Sequence, residues 1–274
     1  ECTPNEIPPR EVITIEVDGI EYSLNEEEKT ASVIKNISTT GNFYIPRSIM
    51  YEEQDYLVTS ISENAFKNSK EIISIQFSSD SALRIINENA FFDSTIKSIS
   101  IPSSLVELKK GWCNRTLMLT QIQIEPNNQR YSILNDEFII GKSNNEIENF
   151  DILVFSVRDI INAKIPSFIE IIGPYAFDYC KQLEYVTFSN ESKLKIIGDG
   201  AFSYSSIKNI LIPSHVKRIC SYAFAIENLE KVDFPTNSEL KIIEKNVFYG
   251  SIIDSILIPS CVVELGECWC GLAQ

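Results

Sequence analysis

An Ala-Phe pair recurs along the chain and sets the strongest limit on how the chain can fold. The copies are Ala65-Phe66, Ala90-Phe91, Ala176-Phe177, Ala201-Phe202 and Ala223-Phe224, with Val247-Phe248 as a variant. Adjacent copies lie about 22 to 25 residues apart, a period typical of a solenoid in which each coil contacts only its neighbours. We therefore interpret the pair as a core element, in which Ala permits close approach of adjacent coils and Phe fills the space between them.

Each coil carries a strand-like pattern between these pairs. The pattern is apolar-x-x-apolar-x-apolar, as in "IKSISI" at 96–101 and "LEYVTF" at 183–188, and its alternating end predicts a short strand with one buried face. Stacked in register, these strands predict a parallel sheet on the concave face of the solenoid. A second apolar segment, such as "VKRI" or "LKII", crosses the back, where we expect short strands and turns or 3-10 segments.

Two segments depart from the period and define the predicted organisation. Residues 1–58 contain "VDGIEYSLNEEEKTASVI", where alternating apolar runs flank a polar turn, so we expect an N-terminal β-hairpin cap and the first coil there. Residues 59–274 are predicted to form the solenoid, with an inserted hairpin at about 127–159 that projects or lies along one edge. We predict one continuous domain.

Two segments of the chain, 61–113 and 219–270, are similar in sequence to each other. Trp112 and Trp269 lie at the ends of these segments, and we interpret them as large core residues.

Composition and charge exclude several classes of function. Hydrophobic residues make up 44% of the 274-residue chain, enough for a continuous core, and the formal net charge is -14. Such a surface repels phosphate backbones and anionic lipids, so we expect no nucleic-acid partner. No apolar run approaches the roughly 18 to 20 residues that cross a bilayer, so we expect no direct membrane insertion. The chain begins at Glu1 without a leader and ends at "WCGLAQ" without a polar cap, so we expect trimming at its start and interpret it as part of a longer array.

The repeated sequence pattern resembles that of a known protein family. The combination "IPSxVxxIxxxAFxxC" followed by "LxxVxF", seen at 165–188 and with variations through about three quarters of the chain, is similar to the BspA-like class of leucine-rich repeat proteins. The segments "IPSSLVELKKGWC" and "DGIEYSLNEEEKTASVI" resemble end-of-block and capping segments of its protist surface-antigen members. The resemblance implies a leucine-rich repeat solenoid at the surface of a cell, with adhesion to proteins or extracellular matrix as its function.

The sequence contains no residue pattern typical of an active site. His215 is the only histidine, and the equivalent positions of sibling coils hold Ser104, Phe168 or Cys261, which indicates a variable turn position. Without a second histidine, a nucleophilic relay has a single candidate base, and the commonest histidine-containing zinc sites would need cysteines to complete them. We therefore expect no enzyme, no cofactor and no metal site.

Seven cysteines leave two interpretations open. They are Cys2, Cys113, Cys180, Cys220, Cys261, Cys268 and Cys270, and they include no C-x-x-C pair. Several replace small residues of sibling coils, which favours buried free thiols that pack as small hydrophobic groups. The alternative is one or two disulfides in an oxidising compartment.

Three Asn-x-Ser/Thr sequons, at Asn36, Asn114 and Asn190, are candidate glycosylation sites and permit secretion.

The outward positions of the stacked strands are the candidate binding surface. A solenoid presents them as adjacent columns, and isolated Ile and Leu among polar groups suit a protein interface better than a small-molecule pocket. The rival surface is the hairpin around Phe138 to Phe155. The candidate contact residues are Ile73, Lys97, Gln123, Ile161, Glu184, Thr187, Lys208, Leu211, Glu230, Asp233, Asp254 and Leu257.

We therefore predict a non-enzymatic recognition or adhesion module, at the cell surface or secreted, that binds a protein or extracellular-matrix partner through the repeat face. The alternative is a cytoplasmic protein, an intracellular scaffold or structural component of a larger assembly. The absence of a visible leader and the interpretation of the cysteines as reduced thiols favour the alternative.

Overall fold

A computed structural model describes residues 12–144 and 146–271, and these fold into a β-solenoid of about ten turns built from strands and turns, with no helix among them. The predicted solenoid class is confirmed. In chain order the strands are β1 (Ile13–Val17), β2 (Ile20–Asn25), β3 (Thr30–Asn36), β4 (Gly41–Ile45), β5 (Ser48–Tyr51), β6 (Gln54–Ile61), β7 (Ile72–Phe77), β8 (Ile85–Ile86), β9 (Ser98–Ile101), β10 (Glu107–Leu108), β11 (Gln121–Ile124), β12 (Tyr131–Leu134), β13 (Phe138–Gly141), β14 (Ile152–Ser156), β15 (Asn162–Ile165), β16 (Ile171–Ile172), β17 (Tyr185–Phe188), β18 (Ile196–Ile197), β19 (Asn209–Leu211), β20 (Arg218–Ile219), β21 (Lys231–Asp233), β22 (Ile242–Ile243) and β23 (Glu264–Leu265).

The apolar-x-x-apolar-x-apolar segments form parallel sheets, which we call the front sheets. They comprise β4-β7-β9-β11, then β15-β17, then β19-β21. Side chains alternate as predicted, because Ile99 and Ile101 of β9 are buried while Ser98 and Ser100 point outward.

The back segments also pair in parallel, two residues per coil, and form the back sheets. One runs β6-β8-β10 and continues from the cap, and the other runs β14-β16-β18-β20-β22-β23. Strands β8, β16, β18, β20 and β22 each bury one Ile, such as Ile172 and Ile197, which lie directly opposite each other in the pairing register, whereas Leu265 of the terminal strand β23 is exposed. The predicted short strands on the back are confirmed.

The predicted N-terminal hairpin cap is also confirmed. Strands β2 and β3 pair antiparallel, and the side chain of Asn25 in their turn accepts hydrogen bonds from the backbone N–H groups of Glu27 and Glu28, both at 3.1 Å. Strand β1 adds a third antiparallel strand, joined to β2 by Asp18 and Gly19 with φ of 50° and 76°. Residues 1–11 of the predicted cap lie outside the described residues. Strand β3 pairs in parallel with β6, so the cap leads directly into the first back sheet.

Stacked aromatic rings fill the interior at the Ala-Phe turns. The rings of Phe177, Phe202, Phe224 and Phe248 follow one another at centroid distances of 4.8, 5.3 and 5.9 Å, and all four are buried. The core interpretation of Ala-Phe is therefore confirmed.

Trp112 and Trp269 pack on the last Phe of their respective rows by a different arrangement, Trp269 edge-on against Phe248 at 6.3 Å. The backbone carbonyl of Trp112 accepts from the N–H of Phe91, as the carbonyl of Ala90 accepts from Phe66, so Trp112 occupies the position of Ala in the pair. The small Cys113 then takes the Phe position, which leaves room for the indole to pack edge-on against Phe91 at 6.0 Å.

The segment at 127–159 does not project from the solenoid. Strands β12 and β13 form a hairpin whose turn residues Asn135 and Asp136 have positive φ, β14 pairs antiparallel with β13, and β14 then starts the second back sheet. Phe138, Ile139 and Phe155 are buried, because the apolar side chains of β13 and β14 fill the space that an ordinary coil fills with its own Ala-Phe turn. One hydrophobic cluster extends from Ile20 through this segment to Phe248.

Candidate functional site

All twelve predicted contact residues are exposed on the side of the front sheets. Adjacent members are joined through the backbone: the N–H of Lys97 donates to the carbonyl of Ile73 at 2.8 Å, Glu184 to Ile161 at 2.9 Å and Glu230 to Lys208 at 2.8 Å. A second column is formed by outward residues within the front strands. There Gln123 lies beside Ser100, Thr187 beside Lys164 and Leu211 beside Asp233. Asp254 and Leu257 occupy the corresponding positions of the last coil, where no front strand forms, and Leu257 is 89% exposed.

We call the outward positions of the front strands, with the residue aligned to Lys97 in each coil from Ile73 onward and the matching positions of the last coil, the front face. Its members are Asn42, Tyr44, Ile73, Gln76, Lys97, Ser98, Ser100, Thr120, Gln121, Gln123, Ile161, Asn162, Lys164, Glu184, Tyr185, Thr187, Lys208, Asn209, Leu211, Glu230, Lys231, Asp233, Asp254, Ser255 and Leu257. Its four Lys residues balance its two Glu and two Asp, so its formal charge is zero, whereas the chain carries -14. The excess carboxylates of the described residues therefore lie outside the front face.

Tyr185 is an exposed aromatic residue of the front face that was not among the twelve predicted contact residues. It is 61% exposed and separates two open grooves. The first, of about 470 Å³, is lined by Lys181, Gln182, Glu184, Tyr185, Ser206, Lys208 and Asn209. The second, of about 610 Å³, lies towards the inserted segment and is lined by Asn135, Glu137, Asn162, Lys164, Tyr185 and Thr187. The sequence signal was an aromatic residue at an outward strand position, where sibling coils hold Ser98 or Gln121.

The front sheets are interrupted between β17 and β19. These neighbouring strands belong to separate sheets, while the back sheet and the Phe stack continue past them. Val186 and Phe188 are consequently only partly buried, whereas their counterparts Ile99 and Ile101 are fully buried. A third groove of about 340 Å³ opens at this break, with an apolar floor that includes Phe188, Ile212 and Pro213.

Two titratable side chains, Arg158 and Asp178, are buried below the turns, where the inserted segment meets the next coil. Arg158 is 3% exposed, donates to the carbonyl of Ala176 at 3.1 Å and lies over the ring of Phe155 at 4.2 Å. Burial raises the pKa of the nearby Asp178 carboxyl to about 7, while the positive charge of Arg158 acts in the opposite direction. Burial also raises the pKa of the Cys113 thiol to about 12, so this cysteine stays neutral and unreactive.

Asp199, Cys220 and Glu244 form a group whose candidate ligand atoms lie within 4.8 Å of one another. Both carboxylates already have partners: Asp199 pairs with Lys110 at 2.8 Å, and Glu244 pairs with Arg218 at 2.7 Å. Burial and the two acids raise the pKa of the Cys220 thiol to about 12, which disfavours the thiolate that a metal requires.

His215 is placed where sequence analysis put it, in an exposed turn. Its Nδ1 lies 2.8 Å from Oε1 of Glu239, and their side chains are 57% and 44% exposed. An imidazole this open to water is not in the enclosed setting that strengthens catalytic electrostatics.

The three sequons differ in their surroundings. The amide of Asn36 donates to Ser69 at 3.0 Å, and its oxygen accepts from the N–H of Thr39 at 2.9 Å, so a glycan on Nδ2 would compete with the bond to Ser69. Asn114 is partly buried, whereas Asn190 is exposed and lines the third groove.

The six cysteines within the described residues are free, and Cys2 lies outside those residues.

The comparisons with known proteins identify the repeat. A family model described as the BspA type leucine rich repeat region matches in six copies over residues 39–152 and 145–269. A search of curated proteins found no match. No helix long and apolar enough to span a bilayer occurs in the part of the chain that the structure describes.

Three solved structures illustrate the structural likeness. A leucine rich cell surface protein from Faecalibacterium prausnitzii is 15% identical, with a TM-score of 0.45 and coverage of 93% of this chain and 94% of that one. A leucine-rich repeat protein from Eubacterium ventriosum is 17% identical, with a TM-score of 0.45 and coverage of 94% and 95%. The pneumococcal vaccine antigen PcpA is 16% identical, with a TM-score of 0.35 and coverage of 93% of each chain.

Proposed function

Because this chain belongs to the BspA-type leucine-rich repeat family, we propose that it is a non-enzymatic recognition module that binds a protein or extracellular-matrix partner through its front face. Leucine-rich repeats generally mediate protein binding and are typically non-enzymatic. The repeat scaffold holds the contact positions in columns, so binding specificity depends on outward side chains.

The observation that carries the proposal is the charge balance of the front face. A chain of net charge -14 would repel most acidic proteins, yet this face has a formal charge of zero and combines Asn, Gln, Ser and Thr with exposed Tyr185 and Leu211. Exposed aromatic side chains act as anchors at the centre of many protein interfaces, and a face without net charge does not repel an acidic partner.

The proposed location is the cell surface or the secreted state, as the family resemblance implies. The alternative, an intracellular scaffold, is favoured by one observation: the six described cysteines are free, as in proteins of reducing compartments.

Labelling of the native cell separates these locations. An antibody raised against this chain is applied to intact and to permeabilised cells, with an antibody against a cytosolic protein as the control for leakage. We expect labelling of intact cells, or recovery of the chain from the medium if it is secreted. A signal confined to permeabilised cells would contradict surface display and favour the scaffold.

A further inference from the structure

A row of aromatic rings and cations runs along the turn edge of the solenoid, outside the front face. It consists of Lys67, Phe92, Arg115, Tyr179, Lys181 and Tyr204, and we call it the cation–aromatic row. Arg115 lies between two rings, with its guanidinium carbon 5.6 Å from the centroid of Phe92 and 5.4 Å from that of Tyr179. Nζ of Lys67 approaches Phe92 at 5.3 Å, which extends the row towards the N-terminus.

The other end of the row is a stacked tyrosine pair. The rings of Tyr179 and Tyr204 are 4.6 Å apart, and Nζ of Lys181 lies 5.3 Å from the first and 5.8 Å from the second. Lys181 also lines the first groove beside Tyr185. A ligand that follows the row would therefore be led to the edge of the front face.

Three of these side chains occupy a backbone conformation that disfavours them. Arg115, Tyr179 and Tyr204 have φ of 59°, 56° and 55°, at the turn position where sibling coils hold Asn68, Asp93 and Gly250. Asn, Asp and Gly tolerate the left-handed region, whereas a bulky side chain there raises the free energy of the folded state. Strained residues that persist in a fold often cluster at functional positions, which favours a role for these rings and this guanidinium.

The charged groups of the row have no close carboxylate among the described residues: the nearby Asp178 is buried and accepts from the backbone N–H of Arg115, at 3.4 Å, rather than from its guanidinium. Within the described residues no ion pair involves Lys67, Arg115 or Lys181, although the chain holds 38 acidic side chains against 24 Lys and Arg. Other lysines near this edge are paired: Lys70 with Asp93 and Lys110 with Asp199, both at 2.8 Å. The N–H donors that point away from the rings are therefore free to bind carboxylates from another molecule.

We propose that the cation–aromatic row binds an acidic segment of a partner protein. Carboxylates of the segment pair with the three cations, and its apolar groups pack on the rings of Phe92, Tyr179 and Tyr204. The rest of this acidic chain repels such a segment, so the row directs it to one edge. The inference does not depend on the front face, because a different surface carries it.

A fluorescein-labelled poly-L-glutamate peptide is the probe, and its anisotropy is measured with the whole chain at low salt. We expect saturable binding that weakens as salt is added, because exposed ion pairs are screened. The double variant Arg115→Gln/Lys181→Gln is expected to bind about three- to tenfold more weakly, from the loss of two surface cation contacts. Lys217→Gln, which removes an exposed lysine beside back strand β20, is the matched control and should bind normally.

Tyr204→Asn separates binding from folding. Asn suits the left-handed position, as Asn68 shows, so the variant should unfold at the same temperature or higher while binding the peptide more weakly. Tyr185→Ser on the front face should leave the peptide affinity unchanged. Absence of peptide binding, an equal loss in Lys217→Gln, or binding of a uronic-acid polysaccharide in place of the peptide would each overturn the proposal.

Discussion

Replacing Phe177 with Ala is expected to lower the free energy of unfolding by about 3 to 5 kcal/mol, the range seen for large aromatic deletions in protein cores. Phe177 is fully buried, and its ring packs between Phe202 at 4.8 Å and Phe138 at 6.0 Å. Because it joins the inserted segment to the regular Phe stack, neighbouring coils cannot close the cavity without breaking the register of the back sheet.

Urea denaturation followed by circular dichroism measures this loss as a shift of the transition midpoint. Lys208→Ala is the control, because Lys208 is exposed and its contact with Glu230 is a 3.8 Å surface pair that contributes little. We expect its stability to stay within about 0.5 kcal/mol of the parent chain. Similar losses in both variants would contradict the assignment of inner and outer faces.

The contribution of Asp178 to the unfolding free energy is expected to fall as pH rises from about 4 to about 7. Burial raises the pKa of this carboxyl to about 7 from its ordinary value of 3.8, so the folded state binds a proton that the unfolded chain has released. Stability from this group is fully present below the unfolded pKa and is lost as pH rises through the folded pKa. Between these pH values, the expected loss of unfolding free energy from Asp178 is on the order of 2 to 4 kcal/mol.

Asp178→Asn isolates this effect, since Asn keeps the shape of the protonated acid and can still accept from the N–H of Arg115, now 3.4 Å from Oδ2. The difference in unfolding free energy between parent and variant, measured by urea titration across the same pH range, should favour the variant increasingly as pH rises. Parallel pH profiles would show that Asp178 is ionised in the fold at all of these pH values and would contradict the account.

The regular part of the fold was predictable because the sequence of each coil indicates its own strands and its own core residues. The alternation in "IKSISI" fixes which side chains enter the core, and the recurrence of Ala-Phe fixes the stacking period, so the front and back strands follow from local pattern. The Asp18-Gly19 turn carries an equally local hairpin signal, and β1 could have been predicted from it together with Ile13, Ile15 and Val17.

The irregular part depends on contacts between coils, which the pattern of one coil does not contain. The sequence of 127–159 predicts a hairpin but not where it lies on the solenoid. Phe138 and Phe155 are buried because they fill the space between Trp112 and Phe177. The break between β17 and β19 follows no local signal either, since "LEYVTF" and "IKNILI" both match the repeat.

The candidate surfaces were partly predictable for the same reason. Strand alternation placed the twelve contact positions, but the grooves beside Tyr185 arise from neighbouring coils and from Asn135 of the inserted segment. The cation–aromatic row was missed because Tyr179 and Tyr204 are far in sequence from Arg115 and Phe92, and only the stacking of coils brings them together.

The measurement that tests the central claim most directly is binding of the whole chain to a panel of purified extracellular-matrix proteins, with and without an intact front face. The test variant is Tyr185→Ser/Leu211→Ser, and Tyr249→Ser, which removes an exposed tyrosine from a turn, is the control. We expect saturable binding to at least one panel protein, at least about tenfold weaker for the test variant and unchanged for the control. Absence of binding to every panel protein, or equal affinities for all three chains, would contradict recognition of the matrix through the front face.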